Sequence, residues 1–287
     1  MPSAPKPDQL RSGMRVYMAL SILALGACAD HPDSANQGTQ AGAGKDVSAK
    51  VAVDIAEHER AAGDPTGALT FYRRALAIDP NQPKVSLALG QTLLEAGQPN
   101  EAAETFRKLL VKPPNDPEAL TGLGMALVQL GQANAAVEPL RKGLALAPNA
   151  RGYRTLGVAE NLLGQNAAAE ADYSRGLALS PDDPGLHNNL GLSLALSGNF
   201  DGAIAILRAA ATGPNATAKT RQNLALALGL AGRNAEAEQV ARMDLDEQSV
   251  QSNLAYYATL RALSPKERTE ALLRPATQPP ARAPVAQ

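Results

Sequence analysis

The chain has 287 residues, a net charge of −1, 3% aromatic residues and no tryptophan. That balance supplies no field to draw nucleic acid or anionic lipid, and so few rings leave little for base stacking. One cysteine excludes an internal disulfide, and the length suits one array of small units rather than two large domains.

Residues 1–27 read as an export signal. Lys6, Arg11 and Arg15 make a positive start, and Val16 to Ala27 is an apolar run too short to span a bilayer as a helix. Met14 is an alternative start to Met1, leaving Arg15 as the charge. The run ends in Leu25-Gly26-Ala27-Cys28, which resembles the bacterial lipobox. The resemblance implies cleavage before Cys28 and lipid attachment to it. The plainer alternative is an ordinary A-x-A cleavage at Ala27-Cys28-Ala29. Several acyl chains would hold the protein on a membrane, since each buried methylene contributes ~0.8 kcal/mol. Ala29 stands where lipoproteins of the enteric type carry an Asp for inner-membrane retention, which implies the outer membrane, facing the periplasm. Residues 28–48 are polar, with Gly38, Gly42 and Gly44 and no apolar period, and read as a flexible tether.

Residues 49–245 repeat. Gly90, Gly124, Gly157 and Gly191 are spaced 34, 33 and 34. The glycines Gly63, Gly97, Gly131, Gly164, Gly198 and Gly232 keep the same register, and so do Ala68, Ala102, Ala136, Ala169, Ala203 and Ala237. Four residues further on stand Tyr72, Phe106, Leu140, Tyr173 and Leu207, and Pro80, Pro114, Pro148 and Pro181 close four of the units. Three columns lose one residue together between units three and four, which chance does not explain. Small residues belong where paired helices approach most closely, glycine where the chain turns, and proline where a helix must stop. This pattern resembles the tetratricopeptide repeat, and implies an all-α chain of about six helix-turn-helix units in a right-handed superhelix. The end units depart from it: Ala56 and Ala225 replace the column glycine, and unit six has Ala241 in place of the aromatic and no closing proline. Terminal units lack a neighbour, so departures are expected there.

Residues 246–274 read as C-terminal capping helices. Val250, Leu254, Tyr257 and Leu260 share one helical face, and Ser264-Pro265-Lys266-Glu267 is a capping box. Residues 275–287, rich in proline, read as a disordered tail.

No catalytic, metal or cofactor site is expected. His31, His58 and His187 have no ligand-spaced partner, and Gly122-Leu123-Gly124 follows no strand, so it is not a nucleotide fingerprint. No small-molecule substrate is expected either. The repeat resemblance places the functional surface on the inner face of each first helix. There Arg154, Val158, Asn188, Leu192, Gln222 and Leu226 form a candidate peptide-binding groove, with Asn161 and Lys219 beside them. It reads as an apolar floor with a polar rim, suited to an extended peptide or a partner helix. The plainer reading is an unused, solvated face. Arg154, Asn189 and Lys219 also match three of the five places of a carboxylate clamp found in some such domains. Val158 and Asn223 depart from it, so that clamp is incomplete.

The segment from Asn223 to Glu238 and the stretches Ala241-Arg242-Met243-Asp244-Leu245 and Ser252-Asn253-Leu254-Ala255-Tyr256-Tyr257 add a further likeness. With the lipobox, they resemble the TadD-like tetratricopeptide repeat lipoproteins of the tight-adherence (Flp) pilus assembly system. The resemblance implies an outer-membrane accessory of pilus biogenesis or secretion, such as a pilotin, with a secretin or another pilus component as partner. A general periplasm-facing scaffold for another type IV pilus or for cell-wall machinery is the alternative.

Overall fold

The computed structural model describes residues 49–273. The expected signal peptide 1–27, the lipidated Cys28, the tether to 48 and the tail 275–287 lie outside the described residues. The described residues form fourteen α-helices and no strand. They fall into two compact units that divide after Pro148, between repeats three and four.

The first unit holds three helix pairs: α1 (Ala49–Ala61) with α2 (Pro65–Ile78), α3 (Pro83–Glu95) with α4 (Pro99–Leu109), and α5 (Pro117–Gln129) with α6 (Ala133–Leu146). The second holds α7 (Ala150–Leu162) with α8 (Asn166–Leu179), α9 (Pro184–Ser197) with α10 (Phe200–Thr212), and α11 (Ala218–Leu230) with α12 (Asn234–Ala241). Two more helices follow, α13 (Glu247–Arg261) and α14 (Pro265–Leu273).

Local chemistry sets the helix ends. Asp64, Asp116, Asn149 and Asp183 each accept a hydrogen bond from a backbone N–H of the first turn, and in three of these four cases a proline follows at the first helical position. Within each pair the turn rests on one glycine. Gly164 has φ +73°, in the left-handed region, and the next residue, Gln165, donates its N–H to the Glu160 carbonyl at 2.8 Å to close α7. The five other column glycines adopt the same conformation, with φ between 68 and 94°.

The column at Gly157 is a matter of space. A Cβ there would lie 2.5 Å from Tyr173 Cε1, a ring that is 1% exposed. Gly90, Gly124 and Gly191 meet Phe106, Leu140 and Leu207 in the same way. The glycine of each first helix therefore receives the large side chain of the second. At Gly176 a Cβ would instead fall 2.8 Å from Leu186 Cδ2 of the next repeat. Gly122 packs on Phe106 of the preceding repeat, which gives both glycines of Gly122-Leu123-Gly124 a steric role.

The end of the second unit is closed by α13. Val250, Tyr257 and Leu260 are buried, Leu254 partly so, and the helix packs on α11 and α12. Tyr257 lies against Gly229, where a Cβ would come within 2.3 Å of the ring. The capping box forms: Ser264 N–H donates to Glu267 Oε2 at 3.0 Å, and Glu267 N–H to Ser264 Oγ at 3.4 Å. The sequence pattern does not foretell how α14 docks. Arg268, 5% exposed, reaches the carbonyls of Leu260 and Leu263 at the end of α13 and of Ala195 and Leu196 at the end of α9. Its guanidinium also lies 5.3 Å from the Phe200 ring centroid. The carbonyl ends of two helices are negative, so they stabilise this cation without a carboxylate.

Candidate functional site

The candidate groove lies wholly in the second unit. Helix α9 sits beside α7 on one side and α11 on the other, so the first helices of repeats four to six form one surface. Val158, Leu192 and Leu226 are buried at 2%, 8% and 2% exposure, and make a floor closed by inter-repeat packing.

The polar residues divide into two kinds. Asn188, expected to offer its amide to a ligand, commits both ends of it to the protein. Its Nδ2 donates to Thr220 Oγ1 at 3.0 Å, and its Oδ1 accepts from Asn223 Nδ2 at 3.3 Å. Asn161 behaves likewise, donating to Tyr173 Oη at 3.0 Å and accepting from Ser193 Oγ at 2.9 Å. The reason is burial. At 5–6% exposure an amide left unpaired would cost about 1–3 kcal/mol, so the next repeat supplies its partner. Asn223, which interrupts the clamp pattern, is part of the same network.

Arg154 and Gln222 remain accessible. Gln222 is half-buried, and its side chain makes no hydrogen bond among the described residues. Arg154, also half-buried, holds Asp183 loosely, with Nη1 at 3.3 and 3.4 Å from the two carboxylate oxygens. Gly185 makes room for it, since a Cβ there would fall 2.6 Å from Nη1. Lys219 approaches from α11. Burial holds its ammonium below the ordinary lysine value, and the neighbouring positive charge of Arg154 adds to that effect. Lys219 has no carboxylate partner among the described residues. Two cations therefore lie near each other over an apolar floor, and one of them, Arg154, loosely holds the carboxylate of Asp183. The arrangement suits an anionic group carried by a chain with apolar side chains.

Sequence reasoning missed Ser193, Thr220 and Asp183. The first two left a signal: Asn161 and Ser193, like Asn188 and Thr220, are 32 residues apart, so each amide faces a hydroxyl one repeat further on. Among the described residues there is no group of three metal-ligating side chains, and no helix is long and apolar enough to cross a membrane.

Models of the tetratricopeptide repeat match residues 59–121 and 93–157, 163–217, and 220–243. No curated protein sequence matches the chain significantly. Among solved structures, a thermophilic tetratricopeptide repeat protein of Thermus thermophilus is similar at 26% identity and TM-score 0.53, over 63% of this chain and 99% of that one. PilW, a type IV pilus biogenesis factor, is similar in fold at 22% identity and TM-score 0.62, over 72% of this chain and 98% of its own. Pseudomonas aeruginosa pilF shares the fold at 19% identity and TM-score 0.59, over 72% and 97%.

Proposed function

Because this chain belongs to the tetratricopeptide repeat family, whose fold is a protein-interaction scaffold, we propose that its α7–α9–α11 groove holds an acidic segment of a pilus-assembly partner. The observation that carries this is the proximity of Arg154 and Lys219 over a buried apolar floor. A carboxylate there would relieve the repulsion between the two cations, and apolar neighbours in the same segment would lie along the floor. The setting is the tight-adherence (Flp) pilus system, whose TadD-like lipoproteins the 222–260 segment resembles. In it the protein is lipidated at Cys28, stands on the outer membrane facing the periplasm, and assists a secretin as a pilotin or serves another assembly component. No catalytic step is assigned.

The second reading is a periplasm-facing scaffold for another type IV pilus or for cell-wall machinery. The fold shared with PilW and pilF, the first of them a type IV pilus biogenesis factor, supports it.

Complementation of a null strain separates these readings from an unused groove. Arg154→Ala with Lys219→Ala abolishes surface pili at unchanged protein level. Normal Flp piliation in that strain overturns the groove's role. Loss of a different pilus type, with Flp pili intact in the null strain itself, selects the second reading.

A further inference from the structure

The first unit separates its charges. Each helix pair is a hairpin, so α1, α3 and α5 begin, and α2, α4 and α6 end, along one edge of the unit. The helix halves and connections at that edge hold nine of the ten lysines and arginines between residues 49 and 148, but only four of the eleven acids. The net charge of −1 for the whole chain hides this segregation.

Helix stability explains part of the pattern. An acid near the start of a helix and bases near its end complement the helix dipole, as Glu101, Arg107 and Lys108 do in α4. Helices α1 and α3 do the reverse. Lys50 and Lys84 stand in their first turns, while Glu57 and Glu59 lie in the second half of α1 and Glu95 ends α3. The edge is therefore cationic against the preference of two of the three helices that start there.

Exposed aliphatic side chains run through the same edge. Ile78, Val111 and Leu146, one in each repeat, are 51%, 80% and 58% exposed. A cation stands four residues before each of them: Arg74, Arg107 and Lys142. Arg107, Lys108 and Lys112 are exposed and have no ion-pair partner among the described residues. Lys142 holds Glu138 in an exposed pair that contributes little. Of the four acids, Asp116 caps α5 and Asp79 accepts the Asn81 N–H, while Asp54 and Glu118 are exposed. A polyanion by itself has no use for the aliphatic row, and an apolar partner has none for the cations. A bilayer with anionic headgroups takes both: phosphates meet the charged groups, and aliphatic carbon and the long cation stems enter the boundary beneath. The chain also enters α1 at this edge, so the segment that carries Cys28 is attached on the same side.

We infer that this edge of the first unit rests on the surface of a bilayer containing anionic phospholipid. Screening over ~8 Å at physiological salt keeps the acids of the far edge from opposing the contact. The surface is separate from the Arg154–Lys219 groove and does not require lipid on Cys28.

The probe is a vesicle of about 30% phosphatidylglycerol in phosphatidylcholine, where each basic group near the surface adds to binding. It is mixed with the chain from Ala29, which keeps every described helix and leaves out the export signal and Cys28. Co-sedimentation exceeds that with pure phosphatidylcholine vesicles about tenfold, and falls about as far in roughly 0.5 M salt. Arg107→Gln with Lys108→Gln and Lys112→Gln removes the preference for anionic lipid. Ile78→Ser with Val111→Ser and Leu146→Ser lowers binding about tenfold at an unchanged melting temperature, since all three side chains are exposed. Arg154→Ala with Lys219→Ala leaves binding unchanged, so failure here and failure of the groove are separate results. Equal sedimentation with the two vesicles overturns the inference. So does a serine variant that binds like the native chain, because the edge then serves a polyanion such as nucleic acid or an acidic protein rather than a bilayer.

Discussion

A half-buried lysine beside an arginine is an unfavourable arrangement that the second unit maintains. Burial, and then the Arg154 charge, hold the Lys219 ammonium below its ordinary value of 10.5. The sign of the linkage follows. Between the folded and unfolded values the unfolded chain binds the proton that the folded chain has released, so stability rises with pH across that window. Lys219→Met removes this slope. Melting temperature measured from neutral pH up to the ordinary lysine range should climb for the native chain relative to the variant. Parallel curves would show that Lys219 is solvated. The neighbouring amides follow the opposite logic. Asn161 and Asn188 are satisfied within the fold, so their truncation tests stability rather than recognition.

At the scale of helices, the repeat depends on close approach. Gly157→Leu inserts a branched side chain where a Cβ alone would already lie 2.5 Å from the Tyr173 ring. Overpacking of this kind costs about 1–3 kcal/mol, and each kcal/mol lowers the melting temperature by about 2–4 °C in a domain of this size. An unchanged melting temperature would refute the pairing of α7 with α8. Helix α14 depends on one cation instead. Arg268→Met keeps the aliphatic stem but removes the donors to four carbonyls at the ends of α9 and α13. Hydrogen exchange of 265–273 should rise by an order of magnitude or more, consistent with a loss of about 1–3 kcal/mol. Unchanged protection would mean that Ala271 and Leu272, packed against the core, hold the helix unaided. Inter-repeat ion pairs such as Arg73–Glu101 and Arg208–Glu236 are about half exposed on both sides and contribute little.

Across the whole molecule, the array of helix pairs was legible in the residues because its constraints are local. A left-handed turn accepts glycine at Gly164, a ring at Tyr173 demands a bare Cα at Gly157, and Ser264 with Glu267 starts a helix, whatever lies elsewhere in the chain. The candidate groove was legible only in outline. Arg154, Gln222 and Lys219 lie half-buried on its surface, whereas Asn188 looked identical in sequence and is sealed between repeats. Nothing in the sequence analysis singles out Arg268, and packing alone shows it buried against the ends of two helices. So the order, length and pairing of the helices come from the sequence by itself, since each rests on sterics within some thirty neighbouring residues. Which polar groups remain open to a partner was decided by tertiary structure alone, because a hydrogen bond from one repeat to the next depends on how their helices face each other, and nothing local to either side chain encodes that.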